Sequence, residues 1–182
     1  MKNFRQIIFT LLILVGFFSC NKHSPRDYFG YTTLNSNKVL RFGTSYFKDL
    51  RMRKLKDLPI VENGKMKIGA SSYTEYVEKM TIYEVQSDIQ NIKKLKSTSE
   101  TEKMINASLD LFSFIEEKYK TDYIHIAKMM DENSSLQKID SAIINLENQA
   151  MPTINTKYQT LMDIALPYAK EHDIEVKQIS FN

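Results

Sequence analysis

Cys20 is the only thiol in a chain of 182 residues, and it follows an apolar run that ends in Phe17-Phe18-Ser19. A lone thiol is a candidate for covalent modification, because its thiolate is nucleophilic. The other residues able to do chemistry are scattered. Asp122 and His125 sit three apart, so on a helix both face one direction. A di-iron bundle needs Glu-x-x-His on two helices and carboxylates from two more. One Asp-x-x-His is all this chain offers, so a surface pair or a hydrogen-bonded histidine is expected. Glu171-His172-Asp173 looks liganding, but adjacent helical residues diverge, and a solvated C-terminal turn is the expectation. Glu116-Glu117 is a single acidic step, not a glycosidase pair. No Gly-x-Ser-x-Gly elbow, phosphate-binding glycine loop or Cys–His pair occurs. The expectation is a protein that is not an enzyme and holds no metal or cofactor.

The elements that position Cys20 come before it. Lys2 and Arg5 precede Ile7 to Phe18, which is apolar apart from Thr10 and Gly16. The stretch is shorter than the ~20 residues that span a bilayer and has the layout of a signal peptide. Asn21, Lys22 and His23 then begin polar sequence at once. This ending resembles a bacterial lipoprotein signal peptide of the Bacteroidota type, with Phe17 where leucine is usual and Ser19 as the small residue before the cut. The resemblance covers about the first 21 residues. It implies diacylglyceryl transfer to the Cys20 sulfur, cleavage before Cys20 and acylation of the new amino group. The plainer alternative is an uncleaved anchor with an idle thiol. The domain reading is therefore a cleaved signal peptide over 1–19, a lipidated tether over 20–36 and a helical domain over 37–182. Membrane lipid joined through Cys20 is the first expected partner. No acidic run follows the cysteine, which favours an outer-membrane protein facing the periplasm over one exposed at the surface.

Without residues 1–19 the net charge falls from +3 to +1. The remainder is uneven: residues 20–70 hold eleven Lys/Arg against four Asp/Glu, and residues 71–182 hold twelve against eighteen. Arg41, Lys48, Arg51, Arg53, Lys54 and Lys56 form a basic face that is near the lipid in sequence. Such residues gain about 1 kcal/mol each beside anionic headgroups. An ordinary solvated face is the competing reading. An export signal argues against nucleic acid as a partner.

Five glycines, four prolines and long three- and four-residue apolar steps predict an all-α protein, an antiparallel four-helix bundle with long helices. Helix one is expected from 37 to about 57, ended by Pro59. Glu62-Asn63-Gly64 marks a turn in a short non-helical insert over 60–70, either a hairpin or an irregular loop. Helix two is expected over 72–96. Helix three opens at a Ser99–Glu102 capping box and runs to about 131, and helix four opens at a Ser134–Gln137 box. The stripe of helix four stays in phase across Pro152, which predicts a kink there and not a break. Ile174, Val176, Ile179 and Phe181 form a tail expected to pair beside 60–68.

Tyr73, Tyr76, Met80, Tyr83, Met129 and Met130 suit either the core or an adaptable apolar groove. The functional expectation is a lipid-anchored, non-enzymatic binding module whose partner is another envelope protein. The alternatives are an immunity-type protein neutralising a periplasmic toxin and a metal- or cofactor-binding bundle.

Overall fold

A computed structural model describes residues 23–33 and 37–176. Cys20, residues 1–19, Ile179 and Phe181 lie outside the described residues. The described chain is mostly helical with one small two-stranded sheet.

Chain order begins with α1 (Pro25–Thr33), α2 (Asn37–Leu40) and α3 (Thr44–Met52). A 3-10 turn, Leu55–Asp57, leads to β1 (Pro59–Glu62) and β2 (Lys65–Ile68). Three long helices follow: α4 over residues 73–93, α5 over residues 102–131, and α6 (Leu136–Glu171).

Part of the expected tether is helix. Ser24 and Asp27 cap each other, with Ser24 N–H donating to Asp27 Oδ2 at 2.8 Å and Asp27 N–H to Ser24 Oγ at 3.2 Å. Pro25 takes the first helical position, where its missing N–H costs nothing. Tyr28 is buried, and its hydroxyl donates to the Lys96 carbonyl at 2.8 Å. Ser108 Oγ donates to the Thr32 carbonyl at 2.9 Å, which ties α1 to α5. A segment rich in turn residues thus becomes a docked helix through tertiary contacts.

The expected single helix over 37–57 is broken. Gly43 adopts φ 72°, ψ −122°, and its N–H donates to the buried Tyr123 hydroxyl at 2.7 Å. The chain restarts as α3, whose Thr44 N–H and hydroxyl donate to the Glu147 carboxylate at 2.7 and 2.8 Å.

Helices α4 and α5 each contain a π-helical turn, Val77–Ile82 and Tyr119–Tyr123, and these turns face each other. One extra residue per turn rotates the apolar stripe. This explains why Ile82 and Val85 are buried while Tyr83 is exposed. Phe42, Tyr46, Phe47, Tyr119 and Tyr123 form an aromatic cluster there, with Tyr119 and Tyr123 centroids 4.5 Å apart and Phe47 and Tyr123 4.8 Å apart.

The predicted capping boxes shift. Thr98 and Thr101 bond to each other ahead of α5, and Glu102 N–H donates to the Thr98 carbonyl, so Ser99 and Glu102 do not form the box. Ser135, not Ser134, caps α6 and accepts from Lys138 N–H. Asn133 instead closes α5 at φ 54°, with Ser134 N–H on the Met129 carbonyl at 2.9 Å. The N-terminus of α4 has a tertiary cap besides Ser72: Asp131 accepts from Tyr73 N–H at 2.8 Å and Thr74 N–H at 2.9 Å. Helix α6 passes through Pro152 and Pro167 without a break.

The hairpin alternative holds for the insert. Asn63 and Gly64 both take positive φ, 51° and 75°, the two-residue turn whose twist matches paired strands. The register pairs Pro59 with Ile68, Ile60 with Lys67, Val61 with Met66 and Glu62 with Lys65. Among the described residues, Ile174 and Val176 of the tail do not join it. His172 pairs with Glu100, and Ile174 packs on the core after donating its N–H to the Ala169 carbonyl. That puts the start of the tail beside the α4–α5 loop, at the other end of the long helices.

Candidate functional site

The two ends of the structure differ. One end holds His23, the α4–α5 loop and the C-terminal turn of α6: Tyr28 bonds Lys96, His172 pairs with Glu100, and the His23 ring lies 6.1 Å from that of Tyr28. The other end holds the hairpin, the end of α3, the start of α4 and the start of α6. Helix α4 alone separates them by about 30 Å at 1.5 Å per residue. Three residue steps from Cys20 to His23 reach at most roughly 11 Å. The docked α1 therefore places His23, from which that reach is counted, at the end away from the hairpin.

The six basic residues singled out from sequence lie along and beyond α2 and α3. Arg41 pairs with Asp49, and Arg51 Nη1 lies 2.7 Å from Asp140 Oδ1. Arg51 Nε and Nη2 are buried without a hydrogen-bond partner. Arg53 stands 6.0 Å from the Tyr76 ring centroid. Lys48, Lys54 and Lys56 are exposed and have no ion-pair partner among the described residues. Arg51 to Lys56 sit at the hairpin end, away from His23. A recess of about 200 Å³ opens between α3 and α4, lined by Arg41, Arg53, Tyr46, Tyr76 and Met52 among others.

The hairpin was legible as a turn but not as a surface. Ile60 is buried, so it faces the core, and the alternation of strand side chains turns Pro59 and Val61 outward. Cross-strand partners share a face, which adds Ile68 and Met66. The outward face is thus wholly apolar, with Met66 66% and Ile68 64% exposed. The inward face carries the charges, where Lys67 and Lys79 both pair with Glu62. Met52 and Leu136 are also exposed at this end.

The histidine expectations resolve plainly. His125 is exposed and borders an open recess of about 450 Å³ with Met129, Gln137 and Asn145. Asp122 accepts from the Thr121 hydroxyl and pairs with Lys118 at 3.6 Å. His172 faces Glu100 and the Tyr168 ring, not its sequence neighbours. Among the described residues no three His, Cys, Asp or Glu side chains gather as metal ligands.

Glu116 accepts from Gln86 Nε2 at 2.8 Å and pairs with Lys120 at 2.5 Å. Burial pushes its carboxyl up, but bonds from Lys120 and Gln86 outweigh this and hold it below the ordinary value. Burial raises the Tyr46, Tyr119 and Tyr123 phenols well above theirs, so the cluster is neutral and serves as packing. Tyr73, Tyr76, Met80 and Met129 are half-buried and Met130 is buried, so most of this set fills the interior.

No protein-family model, curated protein or solved structure matches this chain. Among the described residues no helix is long and apolar enough to cross a membrane. What the geometry offers is contact surface: an apolar hairpin face, unpaired lysines and a small arginine–tyrosine recess, all at one end.

Proposed function

We propose that this protein is a lipid-anchored envelope protein that acts as a non-enzymatic binding module. The observation that carries the reading is Ser19-Cys20 at the end of a short apolar leader, with the one thiol of the chain at the expected point of acylation. The polarity of the structure supports it. The docked α1 brings residue 23 to one end and leaves the hairpin end free for contact. The architecture is read as a four-helix bundle in which the broken segment α1–α3 fills the fourth position along α6. The anchor would sit in an outer membrane facing the periplasm, and the partner would be another envelope protein.

Mass spectrometry of the chain from washed membranes tests the anchor. A mature N-terminus at Cys20 carrying acyl mass is expected, with Cys20→Ala shifting the protein to unprocessed precursor. Unmodified, uncleaved wild-type chain would overturn it. Cross-linking in the envelope tests the binding role. The expected result is a specific protein adduct captured by wild type; the absence of any specific adduct counts against that role.

A further inference from the structure

We propose that the hairpin end is a second membrane contact, one that docks on an anionic lipid surface. It does not depend on acylation of Cys20 and lies at the opposite end of the described fold from His23. The surface combines two features that lipid interfaces need. Pro59, Val61, Met66 and Ile68 form the outward sheet face, and Met52 is exposed at the same end at 69%. Around them, residues 51–69 carry six basic side chains against two acidic ones. Lys54, Lys56 and Lys65 have no ion-pair partner among the described residues, nor has the exposed Asp57, whereas Glu62 is engaged by Lys67 and Lys79. Apolar side chains that enter the headgroup boundary while lysines reach phosphates are the pattern of interfacial binding.

Size and charge decide between occupants. The exposed apolar area of Met52, Met66 and Ile68 is on the order of 400 Å², about half of what one partner buries in a standard protein interface. Self-association would bring two positive tips together, which opposes a second copy. A lipid surface needs no matching shape, and its negative charge meets the lysines.

The test uses the full chain with Cys20→Ala, so that Met66→Cys supplies the single thiol for an environment-sensitive fluorophore. The protein is placed on vesicles of phosphatidylcholine alone or with 30% phosphatidylglycerol, with brominated acyl chains as quenchers. A blue shift and quenching on anionic vesicles, reversed in 1 M salt, are expected. A label at Gln149→Cys, on the exposed middle of α6, should show neither. Changing Lys54, Lys56 and Lys65 to Gln should lower the docked-to-free ratio of the tip on the order of a hundredfold. Circular dichroism confirms that each variant is folded. Equal signals on both vesicle types, no signal on either, or label–label energy transfer from a dimer would each overturn the proposal. Acyl mass on Cys20 of the wild type is measured separately, so failure of the anchor and failure of the tip are distinguishable.

Discussion

Gly43→Ala is the sharpest perturbation available to this fold. The residue sits at φ 72°, ψ −122°, a conformation that costs a residue with a side chain on the order of 1–3 kcal/mol. A Cβ built there stands 2.7 Å from Glu147 Cδ. The Glu147 carboxylate must then swing away from Thr44, giving up bonds from its N–H and hydroxyl. Those bonds are exposed, so their joint loss costs about 1 kcal/mol and not the larger figure for buried charge-assisted pairs. The total is about 2–4 kcal/mol, or a fall in Tm of roughly 5–15 °C for a chain of this size. Urea titration followed by far-UV circular dichroism reads it as a lower midpoint with an unchanged slope. In a Glu147→Ala background the obstacle is gone, and only the backbone cost of about 1–3 kcal/mol should remain. A loss below about 0.5 kcal/mol in both backgrounds would refute the claim that a strained glycine breaks the expected long helix.

Arg51→Met should be neutral or stabilising by up to about 1 kcal/mol in the same titration, because methionine keeps the apolar stem and removes two buried donors that lack partners; a loss larger than that would show that the Asp140 pair outweighs them. Glu75 provides a pH signature. Lys79 and then Ser71 hold its carboxyl down to about 2. A folded value below the unfolded one means its contribution is complete above the ordinary glutamate range and fades as pH falls toward 2. The stability difference between wild type and Glu75→Gln should therefore be constant from pH 7 to about 5 and shrink below that; a difference that persists at pH 2 contradicts the assignment.

Much of α5 and α6 was legible in the sequence, since Met104, Leu111, Ile115 and Ile126, and Ile139, Ile143, Ile154 and Leu161, recur at helical spacing and all are buried. Asn63-Gly64 announced the turn because positive φ at both positions favours those residues. What was missed depends on contacts between distant segments. Nothing near Gly43 tells of Tyr123, eighty residues on, waiting for its N–H. Residues 25–33 read as linker because Ser24, Pro25 and Gly30 are turn formers, yet Ser24-Pro25 with Asp27 is also a helix start, and burial of Tyr28 decided it. The π-helical turns add residues to a stripe without changing its composition, so periodicity shows only a slow drift. The basic residues were found by counting, but their distance from His23 follows from the path of α1 to α3 along α6. The apolar hairpin face needed register, which sequence alternation over four residues does not supply.

Both described chain ends lie together: Tyr28 holds the amino-terminal segment to Lys96, and His172 holds the carboxy-terminal turn to Glu100. The six residues after Val176 extend at most roughly 21 Å. A reporter or affinity handle fused after Asn182 would thus be tethered within that reach of the end that holds Tyr28 and His172, and one inserted between Asn63 and Gly64 would sample the opposite pole. The attachment point of any fusion accordingly selects which pole of the molecule it reports on.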